Sequence, residues 1–408
     1  MAGVRGRVAR PARRARMVLV GVDVGRPDVF TFATAGRIVV GAGASDQVPQ
    51  LAAGLGRRVF VVLGAHTDAA APGLAGLPDD TTLWRWSGEP TVAGVRAGVA
   101  AARAAAPDVV VGWGGGSVVD LAKSVAILLH DEADVLDHLE VVGRGLPLPA
   151  TSTPVIAVPT TAGTGAEVTA NAPILSPEHG VKASLRSPAM LPAVAVVDPA
   201  LTLTCPPGVT ASSGLDALTQ CLEPLVTPRA TPLSDALARE GLARAGRSLH
   251  QAYRHGDDVD ARTDMSLAAL LSGMALANAK LGAVHGLAAP LGGMLGAPHG
   301  EVCAAVLAAT TEVNLRALRA RDPGSPALDR YGEAARLLTG NPDAEVDDVV
   351  RWLADTVASL GVRPLAALGL RPDGHAAVAD AALAASSMAG NPVRLTRDEV
   401  VEILARSA

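Results

Sequence analysis

The segment VVVGWGGGSVVDLAKSVAILL, residues 109–129, decides the fold. It opens on the apolar run Val109–Trp113, rich in β-branched side chains, which suits a parallel strand buried on both faces. Gly114, Gly115, Gly116 and Ser117 follow, and helical periodicity begins at Val118. Strand, glycine turn and helix in that order make half of a βαβ unit. Glycines let the backbone approach a ligand closely, and a helix N-terminus carries partial positive charge, so the turn suits a pyrophosphate. Ser117 and Asp120 also have capping-box spacing, which gives the same turn a structural reading: tight packing and a capped helix.

The same rhythm extends to both sides. Arg37–Val40, Val59–Leu63, Val155–Val158 and Val194–Val197 read as further strands, and Val92–Ala105 as a further helix. This is the pattern of a doubly wound parallel sheet. Beyond residue 205 the strand signal stops. Helical periodicity runs through 209–226, 231–252, 260–283, 300–320, 326–338, 345–360 and 375–386. Prolines cluster between Asp198-Pro199 and Pro206-Pro207. The chain is therefore predicted to hold an α/β dinucleotide-binding domain with a parallel sheet over 28–203 and an all-helical metal and substrate domain over 204–408. Residues 1–27 read as a disordered basic leader: arginines stand at 5, 7, 10, 13, 14 and 16, with no acid among the first 16 residues. The apolar run that follows is too short for a signal peptide.

Composition narrows the function. The 408 residues are 49% hydrophobic, with a net charge of -5 and a mean hydropathy of +0.30. No stretch approaches the roughly 18 unbroken apolar residues of a membrane helix, and the acidic balance argues against a nucleic-acid partner. Three cysteines, Cys205, Cys221 and Cys303, form neither a disulfide framework nor a CxxC pair, so a reducing, cytoplasmic setting is expected. Of the 35 basic residues only Lys123, Lys182 and Lys280 are lysines.

Two further stretches carry chemistry. Val155–Val158 leads into Pro159-Thr160-Thr161-Ala162-Gly163-Thr164-Gly165, a second loop of hydroxyls and glycines. Two such loops at neighbouring strand ends would converge on one crevice, where open α/β sheets bind their ligands. There is no Walker A pattern, which disfavours nucleotide hydrolysis. In the helical half, Asp216 and Gln220 stand at i and i+4 on one helix face. His285 and His299 flank a stretch too rich in glycine and proline to be one helix. One carboxylate and two imidazoles suffice for a divalent metal with open positions, which would polarise a carbonyl or acidify a bound alcohol. The plainer reading makes Asp216 a capping acid for Ser213 and the histidines core residues.

In combination these segments resemble the iron-containing alcohol dehydrogenases. The resemblance rests on GGGSVVDLAKSVA (114–126), PTTAGTGAEVT (159–169), KASLRSP (182–188), VVDPALT (196–202), SGLDALTQCLEP (213–224), LGAVHGLAAPLGG (281–293), PHGEVCA (298–304) and SSMAGNPVRLT (386–396). It runs from about residue 36 to the C-terminus and implies a dehydroquinate synthase-like fold, with nicotinamide and metal meeting between the halves. It puts Gly114, Gly115, Gly116, Ser117 and Asp120 at the pyrophosphate, and Thr160, Thr161, Thr164 and Lys182 around the ribose and nicotinamide. Asp216, Gln220, His285 and His299 fall at the four positions that bind Fe2+ or Zn2+. Asp216, His285 and His299 would then be catalytic, transferring hydride between NAD(P)H and a small aldehyde or ketone.

Two positions depart from the family pattern: Gln220 replaces a histidine ligand, and Ala289 a histidine near the nicotinamide. Gly64, after the second strand, stands where NAD-preferring relatives carry Asp, which leaves room for a 2′-phosphate. Asn171, Leu276 and Lys280 are the expected substrate-side residues, with Lys280 suited to an anionic tail. The resemblance also implies a homodimer or larger assembly. It leaves open a metal-independent reductase resembling maleylacetate reductase, a dehydroquinate synthase-like lyase, and a non-catalytic nucleotide-binding protein.

Overall fold

A computed structural model describes residues 29–408, so the leader expected over 1–27 lies outside the described residues. The strands are β1 (Arg37–Val40), β2 (Val59–Gly64), β3 (Thr82–Trp86), β4 (Val109–Gly114), β5 (Val155–Pro159), β6 (Asn171–Ser176), β7 (Val181–Arg186) and β8 (Val194–Val197). Six form one sheet in the order β1-β8-β5-β4-β2-β3, with every neighbouring pair parallel. The central strands β2, β4, β5 and β8 are buried along their whole length, as their continuous apolar runs require. All five expected strands are present.

The sequence reading missed β3 and the antiparallel β6–β7 hairpin. β3 is an edge strand whose residues alternate between half-buried and exposed. Its Trp84 and Trp86 rings stack at 5.8 Å.

Helices α1 (Val48–Ala53), α2 (Pro72–Ala75), α3 (Val92–Ala105), α4 (Gly116–Leu128) and α5 (Val135–His138) accompany the sheet. The helical half follows with α6 (Pro207–Val226), α7 (Pro232–Arg254), α8 (Val259–Asn278), α9 (Ala283–Leu295), α10 (His299–Arg321), α11 (Pro326–Thr339), α12 (Asp348–Ser359), α13 (His375–Ala384) and α14 (Arg397–Arg406). The stretch read as one helix over 260–283 breaks after Asn278, and the chain turns 98° into α9. No single helix among the described residues is long and apolar enough to cross a membrane. The helical half has its own large core, while two apolar layers cover the faces of the sheet.

The halves meet where backbone approaches backbone. At Gly165, φ is +60°, and a Cβ would lie 2.4 Å from the Cα of Gly273 on α8. Only glycine fits that contact. It seats the 159–165 loop against the helical half.

Candidate active site

The site is built first from strand ends. Gly114 and Pro159 are paired neighbours at the tips of β4 and β5, and a Cβ on Gly64, the last residue of β2, would lie 3.4 Å from the Cα of Gly114. The amide of Thr160 donates to the Gly114 carbonyl at 2.9 Å. A Cβ on Gly115 would lie 3.5 Å from the Thr161 side chain, and one on Gly116 2.3 Å from Thr164 Oγ1. The two glycine turns therefore converge. The helix behind them starts differently from the capping-box expectation. Its N-cap is Gly115, and no side chain caps it. Asp120 instead pairs with the buried Lys123 at 2.9 Å. The first amides of α4 are left for another acceptor, which suits an anion.

The second turn reaches the acid. A Cβ on Gly163 would lie 2.6 Å from that of Ser213, one turn before Asp216 on α6. Ser213 does not cap this helix, which begins at Pro207; its hydroxyl donates to the Val209 carbonyl. Asp216 is thus a buried acid inside a helix, 1% exposed, and its capping role is not found. His285 and His299 come from separate helices, as expected, because α9 ends at Gly296 in the left-handed conformation and α10 begins at His299.

Asp216 Oδ1 lies 3.4 Å from His285 Nε2 and 3.9 Å from His299 Nε2. Cys303 Sγ lies 3.6 Å from His299 Nε2, and one donor atom from each of these four residues falls within 4.8 Å of the others. Asp216 Oδ1 and His285 Nε2 are buried with no hydrogen-bond partner. Orphaned polar atoms that face one another across such a gap are what a bound cation would satisfy. The residues fit a divalent metal on that ground.

The other ring nitrogen, His285 Nδ1, bonds Glu223 Oε2 at 2.7 Å, while Glu223 Oε1 accepts the Val284 amide at 2.7 Å. This acid fixes the ring's tautomer and its approach. Burial works against charge on His285, but Cys303, Glu223 and Asp216 outweigh it and hold its pKa well above the ordinary imidazole range. Burial pushes His299 down to about 4 and the Cys303 thiol up to about 11. Lys182, on the hairpin, donates to Glu89 Oε2 at 3.0 Å. Burial opposes ionising Glu89, yet Lys182 keeps it below the usual carboxylate range.

Gln220 departs from the expected ligand. Its amide nitrogen donates to Asp216 Oδ2 at 2.9 Å, and its oxygen accepts from Ser272 Oγ at 2.9 Å. The side chain thus braces Asp216 and turns its own oxygen away. Of the residues expected on the substrate side, Asn171 opens β6 and its carbonyl accepts from Lys123 at 2.5 Å. Leu276 is half-buried on α8, and Lys280 is exposed beyond its end, where a Cβ on Gly390 would meet its own at 2.5 Å. Ala289 is half-buried on α9.

Sequence reasoning missed Cys303, Glu223, Glu89 and Arg85, whose guanidinium donates to the Gly64, Ala65 and Thr67 carbonyls at the tip of β2. A signal existed for two of them. Cys303 is i+4 from His299, and Glu223 is i+7 from Asp216, so each shares a helix face with a residue already singled out. Glu89 and Arg85 act through tertiary contacts, which spacing does not report.

Residues 35–199 match the family described as iron-containing alcohol dehydrogenase, and residues 210–408 match the Fe-containing alcohol dehydrogenase family, C-terminal. The chain is 36% identical over 326 residues to the probable alcohol dehydrogenase EutG of Salmonella typhimurium, covering 79% of each. Among solved structures it is similar to the alcohol dehydrogenase from Oenococcus oeni (TM-score 0.84, 28% identity, 93% of this chain and 100% of that one). It is also similar to sulfoacetaldehyde reductase from Bifidobacterium kashiwanohense in complex with NAD+ (TM-score 0.82, 27% identity, 93% and 99%).

Proposed function

We propose, since this chain belongs to the iron-containing alcohol dehydrogenase family, that it interconverts a small aldehyde or ketone and its alcohol with NAD(P)(H), in the cleft between its halves. A bound nicotinamide supplies or accepts the hydride there, and a divalent ion supplies polarisation of the carbonyl. Asp216, His285 and His299 are the residues that would hold the ion. The observation that carries this reading is the pair of buried, unpartnered atoms Asp216 Oδ1 and His285 Nε2, 3.4 Å apart. Neither atom has a well-formed hydrogen bond within the protein, and an ion between them would satisfy both.

The remaining residues bind and orient. The uncapped α4 amides and Gly114–Ser117 take the pyrophosphate, with Asp120 held back by Lys123. Thr160, Thr161, Thr164 and Lys182 line the nicotinamide side, where Glu89 fixes the lysine. Ala289 can neither hold nor move a proton, so proton exchange goes to water.

The tip of β2 supports NADPH. Gly64 brings no carboxylate there, and Asp68 turns back onto its own loop, accepting the Ala70 amide at 2.9 Å. Arg85 instead lies across the tip, donating to the carbonyls of Gly64, Ala65 and Thr67 at 3.2, 3.2 and 3.0 Å. An arginine at this place suits a 2′-phosphate.

Asn171, Leu276 and Lys280 form the substrate side in this reading, with Lys280 favouring an anionic tail, and the enzyme works in the cytoplasm as a homodimer or larger assembly. Sulfoacetaldehyde reductase, a structural relative, bears a name that implies such a substrate. The test is elemental analysis of the purified protein together with NADH and NADPH oxidation against neutral and anionic aldehydes, before and after chelation. Aldehyde-dependent oxidation that chelation abolishes is expected. Nucleotide binding without turnover would overturn the assignment.

A further inference from the structure

Gln220 leaves the cluster one donor short of the four that the family pattern supplies, and the gap is filled from the opposite helix. α10 packs against α6 so closely that a Cβ on Gly300 would lie 2.5 Å from the Ser212 carbonyl and 3.4 Å from the Asp216 Cβ. That approach carries Cys303, one turn beyond His299, into the same space. Its sulfur is fully buried and lies with Asp216, His285 and His299 in one mutual cluster.

The separations have the size of ligand–ligand edges. Tetrahedral zinc, with bonds of about 2.0–2.3 Å, sets its donors roughly 3.4 Å apart for N and O and roughly 3.6 Å apart for S and N. The observed values are 3.4 Å for Asp216 Oδ1 to His285 Nε2 and 3.6 Å for Cys303 Sγ to His299 Nε2. Asp216 Oδ1 to His299 Nε2 is wider, at 3.9 Å, and all the donor atoms lie within 4.8 Å of one another.

Resting on the metal reading above, we infer that Cys303 is the fourth protein ligand in this chain, which makes the centre an Asp-His-His-Cys site selective for a zinc-like cation. Gln220 then has a positioning role. By holding Asp216 Oδ2, with its own oxygen tied to Ser272, it presents Asp216 Oδ1 to the ion. As the S–metal bond forms, the thiol proton leaves to solvent and no electrons are exchanged. A soft thiolate donor moves preference away from hard cations and toward zinc.

The experiment uses full-length protein, stripped by chelation and loaded with one equivalent of Co2+. A sulfur-to-cobalt charge-transfer band in the near ultraviolet is expected. It should persist when Cys205 and Cys221 are both replaced by Ser and vanish in Cys303→Ser, with cobalt still retained by that variant. Zinc affinity of Cys303→Ser should fall by about 100-fold or more, at or beyond the top of the roughly 10–100-fold range for losing an outer-shell partner. If Cys303→Ser does not fold, the band in the double cysteine variant decides alone. Cobalt bound at one per chain without the band overturns the thiolate ligand and leaves the metal reading standing. Failure to retain cobalt at all overturns both.

Discussion

Replacing Glu223 by Gln isolates the support beneath the candidate metal site. The two oxygens of Glu223 each accept a hydrogen bond, from the His285 ring and from the Val284 amide, both at 2.7 Å. The carboxylate is nearly inaccessible. Glutamine keeps the volume but offers one acceptor, so its amide N–H must face one of two buried donors. A buried donor left unsatisfied costs about 1–3 kcal/mol. Loss of the carboxylate also lowers the basicity of the imidazole toward an ion at Nε2. Such outer-shell losses reduce metal affinity by about 10–100-fold, or roughly 1.4–2.7 kcal/mol. Competition with a chromogenic chelator should report the weaker zinc or cobalt binding, and denaturant unfolding of the metal-free protein should report the stability loss. If the variant folds and its affinity stays within about twofold of the parent, Glu223 does not orient a metal-binding His285, and the cluster has been misread.

Other consequences follow from single contacts. Arg85→Ala should raise the Kd for NADPH by about 10- to 100-fold, the worth of a charge-assisted bond, with NADH binding unchanged; equal effects on both cofactors would remove the 2′-phosphate role. Gly116→Ala drives a methyl into Thr164 and should weaken cofactor binding by roughly 10- to 100-fold as the loops part; unchanged titration of nicotinamide fluorescence would contradict that. Burial pushes Glu167 from 4.5 up to about 7. The folded chain holds that proton between these values while the unfolded chain releases it, so stability falls as pH rises through the window. Glu167→Gln should abolish this loss, at most about 3 kcal/mol, and parallel urea midpoints from pH 4.5 to 8 would contradict the assignment. Asp235→Ala strands the buried Arg330, which pairs with both carboxylate oxygens at 3.0 and 3.1 Å, and should cost about 3–5 kcal/mol in unfolding free energy without altering cofactor affinity.

The central strands could be read from the sequence because a strand buried on both faces needs nearly every side chain apolar, as in Val109–Val111 and Val194–Val197. β3 escaped because an edge strand needs only alternation, and Arg85 within Thr-Leu-Trp-Arg-Trp blurred it. The final helix was missed although Thr396 and Glu399 form a capping box at its start. In the site, the glycine turns and the acid with two imidazoles were legible because their residue types are restricted by chemistry. The i+4 register to Asp216 and the family resemblance both put Gln220 among the ligands. Whether an amide faces a cation or a neighbouring carboxylate depends on Ser272, 52 residues away, and no local pattern carries that. Cys303 forms no CxxC pair and no disulfide framework, and its one local signal is its i+4 spacing from His299.

In the proposed enzyme the cofactor loops and the acid–imidazole cluster face one gap. Proton relaxation of bound NADPH, with cobalt in the cluster, tests it directly. Strong broadening of the nicotinamide C4 protons, lost when diamagnetic zinc replaces cobalt, is predicted. C4 protons that relax alike with either metal, while both ligands are bound, would contradict it.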